Sequence, residues 1–148
     1  MCTFAQICNM IEFHYQEVEA IESEELFTLW LDKLAQSEGF TVGDLTYIFC
    51  NDDYLLELNK TYLKHDTLTD IITFDYVSGS LLSGDIFISV ERLLENAQAF
   101  NDTFKNERLR VMAHGLLHLM GFNDKSTEDQ AIMRKKENEK IKMFHVEQ

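Results

Sequence analysis

The chain has 148 residues, enough for one domain with a buried core, and 45% of them are hydrophobic, which excludes a disordered polymer. Its 26 acidic side chains outnumber 13 basic ones, for a formal charge of −13. That excludes general, sequence-blind nucleic-acid binding, which runs on phosphate neutralisation, and disfavours anionic membranes, while leaving room for a local basic patch that meets RNA.

The opening MCTFAQICNMIEFHYQ has no basic stretch and no signal-like apolar run, and no segment approaches the length of a membrane span, so the cytoplasm is the expected location. Cys2, Cys8 and Cys50 form no CxxC pair and read as reduced thiols. Residues 11–18 are expected as a first strand. Residues 22–37 follow as a helix, with Ser23 as its N-cap and Gly39 as its stop. Residues 44–50 alternate as a strand, and Asn51 caps a helix over 52–62 whose first turn carries acids. TDIITFDYV (69–77) and GDIFISV (84–90) are rich in β-branched and aromatic residues and read as strands. Three helices complete the chain: Glu91 to about Phe100, 104–120, and Thr127 to about Phe144, the last with Thr127 and Gln130 as a capping box. With no proline, no linker and no repeat, residues 1–148 are expected to form a single α+β domain. A small mixed β-sheet would be packed with helices, and a metal site would lie on a helix of the C-terminal half.

The chemistry concentrates on helix 104–120. Leu109, Met112, Ala113, Leu116 and Met120 fall within one broad stripe, and His114 and His118 stand about 140–180° away from Leu109. The two imidazoles are one turn apart and can converge on one divalent ion. Gly121 suits the left-handed position that ends a helix, so the chain can turn and bring Asp124 back toward the pair. His, His and Asp would leave positions open for water, as a catalytic metal site needs. His65 and His145 are alternative third ligands without a supporting motif. The residue after His114 is Gly115, so the glutamate that serves as general base in an HExxH zinc peptidase is absent.

HGLLHLMGFND (114–124) resembles the signature of the YbeY family, bacterial endoribonucleases of ribosomal RNA maturation, which reads roughly HGxLHLxGYDH. LNKTYLKHDTLTDIITFDY (58–76) is similar to that family's LNxxYRxxDxPTDVLSF, and GDIFIS (84–89) to its GDIxIS strand. The resemblance implies a metal-dependent single-strand endoribonuclease, acting in small-subunit rRNA 3′-end processing and ribosome quality control with ribosome-associated proteins. No DNA or membrane partner is expected. It also implies metal ligands at His114, His118 and Asp124, where Asp124 replaces the family's third histidine. One divalent ion is expected, Zn2+ first, with the harder oxygen shifting relative affinity toward Mn, Fe or Mg. Leu63 stands where the family has an arginine thought to serve activity, and Leu68 stands in place of its proline.

Lys64 is then the candidate phosphate contact, although a point charge on a flexible stem does not reproduce a bidentate arginine. Asp85 and Asp70 are candidates to orient water or a ligand, or simply to cap turns. Lys60, Arg108, Arg110 and Lys125 are further candidate contacts to RNA, and the Arg134-Lys135-Lys136 run is expected to be a solvated helix face. The alternative function is a non-catalytic ribosome-assembly factor with a structural metal. A hydrolase acting on another substrate is a weaker third reading.

Overall fold

The computed structural model describes residues 10–146; Cys2 and Cys8 lie outside the described residues. The elements are β1 (Met10–Tyr15), α1 (Glu24–Ser37), β2 (Thr41–Cys50), α2 (Asp52–Leu63), β3 (Ile71–Asp75), β4 (Leu81–Ser89), α3 (Val90–Ala99), α4 (Phe104–Leu119) and α5 (Thr127–Val146). Their order is the one expected from the sequence, and the strand bounds shift by up to a few residues. One four-stranded sheet runs β1-β2-β4-β3, with β1, β2 and β4 parallel and β3 antiparallel to β4. The fold is thus α+β with a mixed sheet.

Strand alternation sends residues to two faces. Leu45, Tyr47 and Phe49 of β2 and Leu82, Ile86 and Ile88 of β4 join the main core with residues of α1, α4 and α5. Phe13 stacks on Tyr47 and Tyr15 on Phe49, each opposite its partner in the register. The other face holds a smaller cluster of Cys50, Leu55 and Ile72, with Leu58, Phe74 and Phe87 against it, and α2 covers it.

α4 runs through the middle of the main core. The single apolar stripe expected for it is too narrow: Val111, Gly115, Leu117 and Leu119 are buried as well. A helix apolar on most of its circumference is one wrapped by neighbours on several sides. Gly115 makes its approach to the sheet possible, because a Cβ there would lie 2.9 Å from Ile71 and 3.0 Å from Ile86.

Two capping expectations change. Ser23 stands at the N-cap of α1 as expected, but its side chain makes no cap hydrogen bond. α5 is capped by Ser126, whose hydroxyl accepts from the Asp129 N–H at 3.0 Å and whose carbonyl accepts from Gln130 at 2.9 Å. Thr127 is already inside the helix, so it cannot be the cap. The Gln130 side chain instead donates to the Asp124 carbonyl at 3.1 Å.

Candidate active site

The site is built where α4 ends. Gly121 has φ +106°, and its N–H donates to the His118 carbonyl at 3.0 Å. The Phe122 N–H reaches the Leu117 carbonyl at 3.1 Å. This pair of bonds is the Schellman closure, which needs a residue without a Cβ at the left-handed position. The reversal carries Asp124 back along α4, where its Oδ2 lies 3.3 Å from His114 Nε2. The Gln130 bond to its carbonyl holds the returning chain against the start of α5.

His114 is gripped from the other side as well. Its Nδ1 lies 2.7 Å from Oε2 of Glu137, a side chain only 5% exposed. The ring therefore bridges two carboxylates. Burial alone would lower the His114 pKa. The hydrogen bond to Glu137 and the charges of Glu137, Asp124 and Asp70 outweigh it, and the net shift is upward. The His118 ring lies parallel to that of His114, with centroids 6.4 Å apart, and is exposed to solvent.

These residues line a cleft of about 880 Å³. Thr69, Asp70, Glu107, Arg110 and Glu137 line it, together with half-buried Asn96 and the exposed Phe100 and Arg134. Burial pushes the Asp70 carboxyl above its ordinary range, partly offset by His114. Burial likewise raises Glu107, against the pull of Arg110. Arg110 donates to Asn138 at 2.9 Å and to Glu137 at 3.3 Å. Four carboxylates, of Asp70, Glu107, Asp124 and Glu137, thus face two guanidiniums, which favours a cation among them.

Of the residues singled out from the sequence, His114, His118, Asp124, Asp70 and Arg110 meet in this cleft. Asp85 does not line it. A Cβ at Gly84 would meet Leu119 of α4, and Ile86 lies against Gly115, so the residue between them points to the opposite face of the sheet. There Asp85 accepts a hydrogen bond from Tyr76. Lys64 is an exposed left-handed residue (φ 61°) that ends α2, away from the cleft lining, and Lys60 pairs with Asp66 at 3.8 Å. Arg108 is buried, pairs with Glu22 at 2.6 Å and lies over Phe27 and Phe104 in a separate cavity that also receives His145. His65 and Lys125 are exposed and line neither cavity. The expected solvated run divides: Arg134 lines the cleft, Lys136 is tied to Glu38 at 2.8 Å, and only Lys135 is a plain surface residue.

Sequence reasoning did not single out Glu137, and it read Arg134 only as part of a solvated helix face. Glu137 shares the buried side of α5 with Met133, Lys140 and Ile141, at i−4, i+3 and i+4. An acid in phase with a buried stripe is a readable signal of a partnered carboxylate. Its partner, 23 residues away in sequence, is not readable in the same way.

Comparison with known proteins agrees with this architecture. The family model for Endoribonuclease YbeY matches residues 9–145. The chain belongs to the YbeY family. An Endoribonuclease YbeY of Flavobacterium johnsoniae is 53% identical over 139 residues, covering 94% of this chain and 100% of that protein. One from Bacteroides thetaiotaomicron is 47% identical over 116 residues, covering 78% of this chain and 85% of that protein. The solution structure of TM1509 from Thermotoga maritima superimposes with a TM-score of 0.66 at 26% identity, covering 93% of this chain and 91% of that one.

Within this YbeY chain the donor chemistry suits a divalent ion. The 3.3 Å between Nε2 and Oδ2 is about the edge of a tetrahedron whose corners lie 2.0–2.1 Å from a central zinc. A carboxylate on the far nitrogen is the usual support of a ligating histidine, and Glu137 stands in that position on His114. Among the described residues no three His, Cys, Asp or Glu donors stand together as a complete ligand group. The His114 Nε2 and Asp124 Oδ2 atoms already stand 3.3 Å apart, and the exposed His118 ring lies parallel to His114 one turn on, with ring centroids 6.4 Å apart. Leu63 and Leu68 are exposed and lie outside the cleft lining. The guanidiniums at the cleft come from α4 and α5 instead.

Proposed function

We propose that this chain is a metal-dependent, single-strand endoribonuclease of ribosomal RNA maturation, trimming the small-subunit 3′ end and serving ribosome quality control beside ribosome-associated proteins in the cytoplasm. The observation that carries the reading is His114, held between Glu137 and Asp124 in a cleft that also presents two arginines. His114, His118 and Asp124 would hold one divalent ion, Zn2+ first.

Such an ion, when bound, supplies positive charge to a phosphoryl oxygen and acidifies water at its open position. Glu137 fixes the proton of His114 on Nδ1, which leaves Nε2 as the donor atom. Asp70 lines the wall beside His114, and burial raises its carboxyl, which suits a group that orients water and exchanges a proton with it. Arg134 is 58% exposed and only 3.7 Å from Glu137, so it can swing to a backbone phosphate. Arg110 is held more firmly and offsets the phosphate charge deeper in the cleft. A chain of net charge −13 needs such local cations to meet RNA.

The test measures cleavage of single-stranded ribosomal RNA precursor and melting temperature together, with and without chelator, in the parent and in His114→Ala. Loss of cleavage in the chelated protein and in the variant supports the reading. Cleavage persisting unchanged in His114→Ala refutes it. A metal-loaded protein that melts cooperatively, cuts nothing and unfolds on chelation identifies the assembly factor with a structural metal.

A further inference from the structure

We infer that Phe100, with Asn96, is a base-stacking platform on the rim of the cleft, which takes one unpaired nucleobase of the RNA while the adjoining phosphate lies at His114. The inference rests on the endoribonuclease reading and adds the residues that select single strands.

Phe100 is 66% exposed, yet it lines the same cleft as His114 and Asp124. Among the described residues it packs against no other ring, whereas Phe74, Phe87 and Phe144 all have aromatic partners. Single exposed apolar side chains such as Tyr62, Tyr76 and Leu29 are ordinary on a protein surface, and Phe100 is set apart from these by lining the polar cleft that holds His114.

The ring stands on a rigid base. Phe100 closes α3, with its N–H on the Asn96 carbonyl at 2.9 Å. Asn101 follows in the left-handed region at φ 57°, and the Asp102 N–H returns to the Ala97 carbonyl at 2.8 Å. The next residue, Thr103, caps α4, its hydroxyl accepting from Asn106 at 3.1 Å. A single tight corner therefore joins Phe100 to the helix that carries His114. Asn96, one turn before Phe100, also lines the cleft and offers an amide that donates and accepts, as the edge of a base requires.

A cleft of about 880 Å³ is far larger than one phosphodiester needs and has room for a nucleotide on either side of it. Stacking on an aromatic side chain demands an exposed base face, which single strands and loops present and an A-form duplex does not. The platform accordingly confers single-strand preference without reading sequence closely.

The experiment measures binding of a fluorescent, phosphorothioate-linked single-stranded RNA of about ten nucleotides by anisotropy, beside a duplex of the same length, together with KM and kcat for cleavage of the unmodified strand. In Phe100→Ala and Phe100→Leu, single-strand binding is expected to weaken roughly 5- to 150-fold and KM to rise, with duplex binding and melting temperature unchanged. Phe100→Trp is expected to restore binding, since it keeps a ring. Phe100→Ala binding the single strand as tightly as the parent overturns the platform while leaving the nuclease reading intact. Phe100→Leu matching Phe100→Trp also overturns it, because apolar area would then suffice. A parent protein that neither binds nor cuts the single strand overturns both.

Discussion

Replacing Glu137 by glutamine removes one buried charge and keeps the side chain's shape. The carboxylate it replaces is 5% exposed, accepts from His114 Nδ1 at 2.7 Å and from Arg110 at 3.3 Å. The amide oxygen can still take the Nδ1 proton, but its NH2 group then faces the Arg110 donors. The proposed ligand loses both its orienting charge and part of its basicity. Loss of such a supporting carboxylate costs about 10- to 100-fold in metal affinity, or roughly 1.4–2.7 kcal/mol. Folding should lose about 2 kcal/mol, since Arg110 keeps Asn138 at 2.9 Å but gives up a charged partner. Glu137→Ala should cost more, about 3–5 kcal/mol, because it removes a buried carboxylate and leaves half-buried Arg110 and His114 without the charge between them. Zinc competition against a chromophoric chelator measures the first quantity, and thermal melting the second. Saturating zinc should restore most of the activity of Glu137→Gln. A glutamine variant that holds zinc as tightly as the parent would show that Glu137 is a packing residue and that the argument from its hydrogen bond is wrong.

Two further outcomes follow from the geometry. Lys140, 4% exposed, bonds Glu38 at 2.7 Å and Ser37 at 2.9 Å, which ties α5 to the end of α1. Burial pushes the Glu38 carboxyl up, but hydrogen bonds from Lys136 and Lys140 outweigh it and hold it below its ordinary value. A depressed carboxylate stabilises fully above its unfolded pKa, and that stability is lost as pH falls through the folded value. Glu38→Gln should therefore cost about 3 kcal/mol at neutral pH, lowering Tm by roughly 6–10 °C, and should flatten the decline of Tm with acid below about pH 5. An unchanged acid limb in that variant would assign the decline to other carboxylates. Asp85→Asn and Lys64→Ala, both outside the cleft, should leave cleavage within about threefold of the parent. A hundredfold loss of kcat in either would mean that the RNA path crosses the far sheet face.

The elements were legible because their signals are local. Alternation of apolar residues marks β2 and β4, Asn51 marks the start of α2, and Gly121 marks the end of α4. The His114–His118 pair and the return of Asp124 were legible for the same reason, since all three lie within eleven residues joined by one turn. Sheet facing was harder. Asp85 and Asp70 look alike in sequence, each beside a β-branched strand, and only the register of β4 against α4 turns one away from the cleft and leaves the other in it. The cations show the same division. Arg108 and Arg110 are two residues apart on one helix, about 200° around its axis, so one is buried over Phe27 while the other faces Glu137. Packing of α5 along α4 decided the rest, bringing Glu137 and Arg134 to the cleft of His114 across twenty or more residues. Sequence by itself determined which donors could share one turn of helix and the loop behind it. The tertiary structure decided which charges surround them, because hydrogen bonds between distant elements leave no periodicity in the chain.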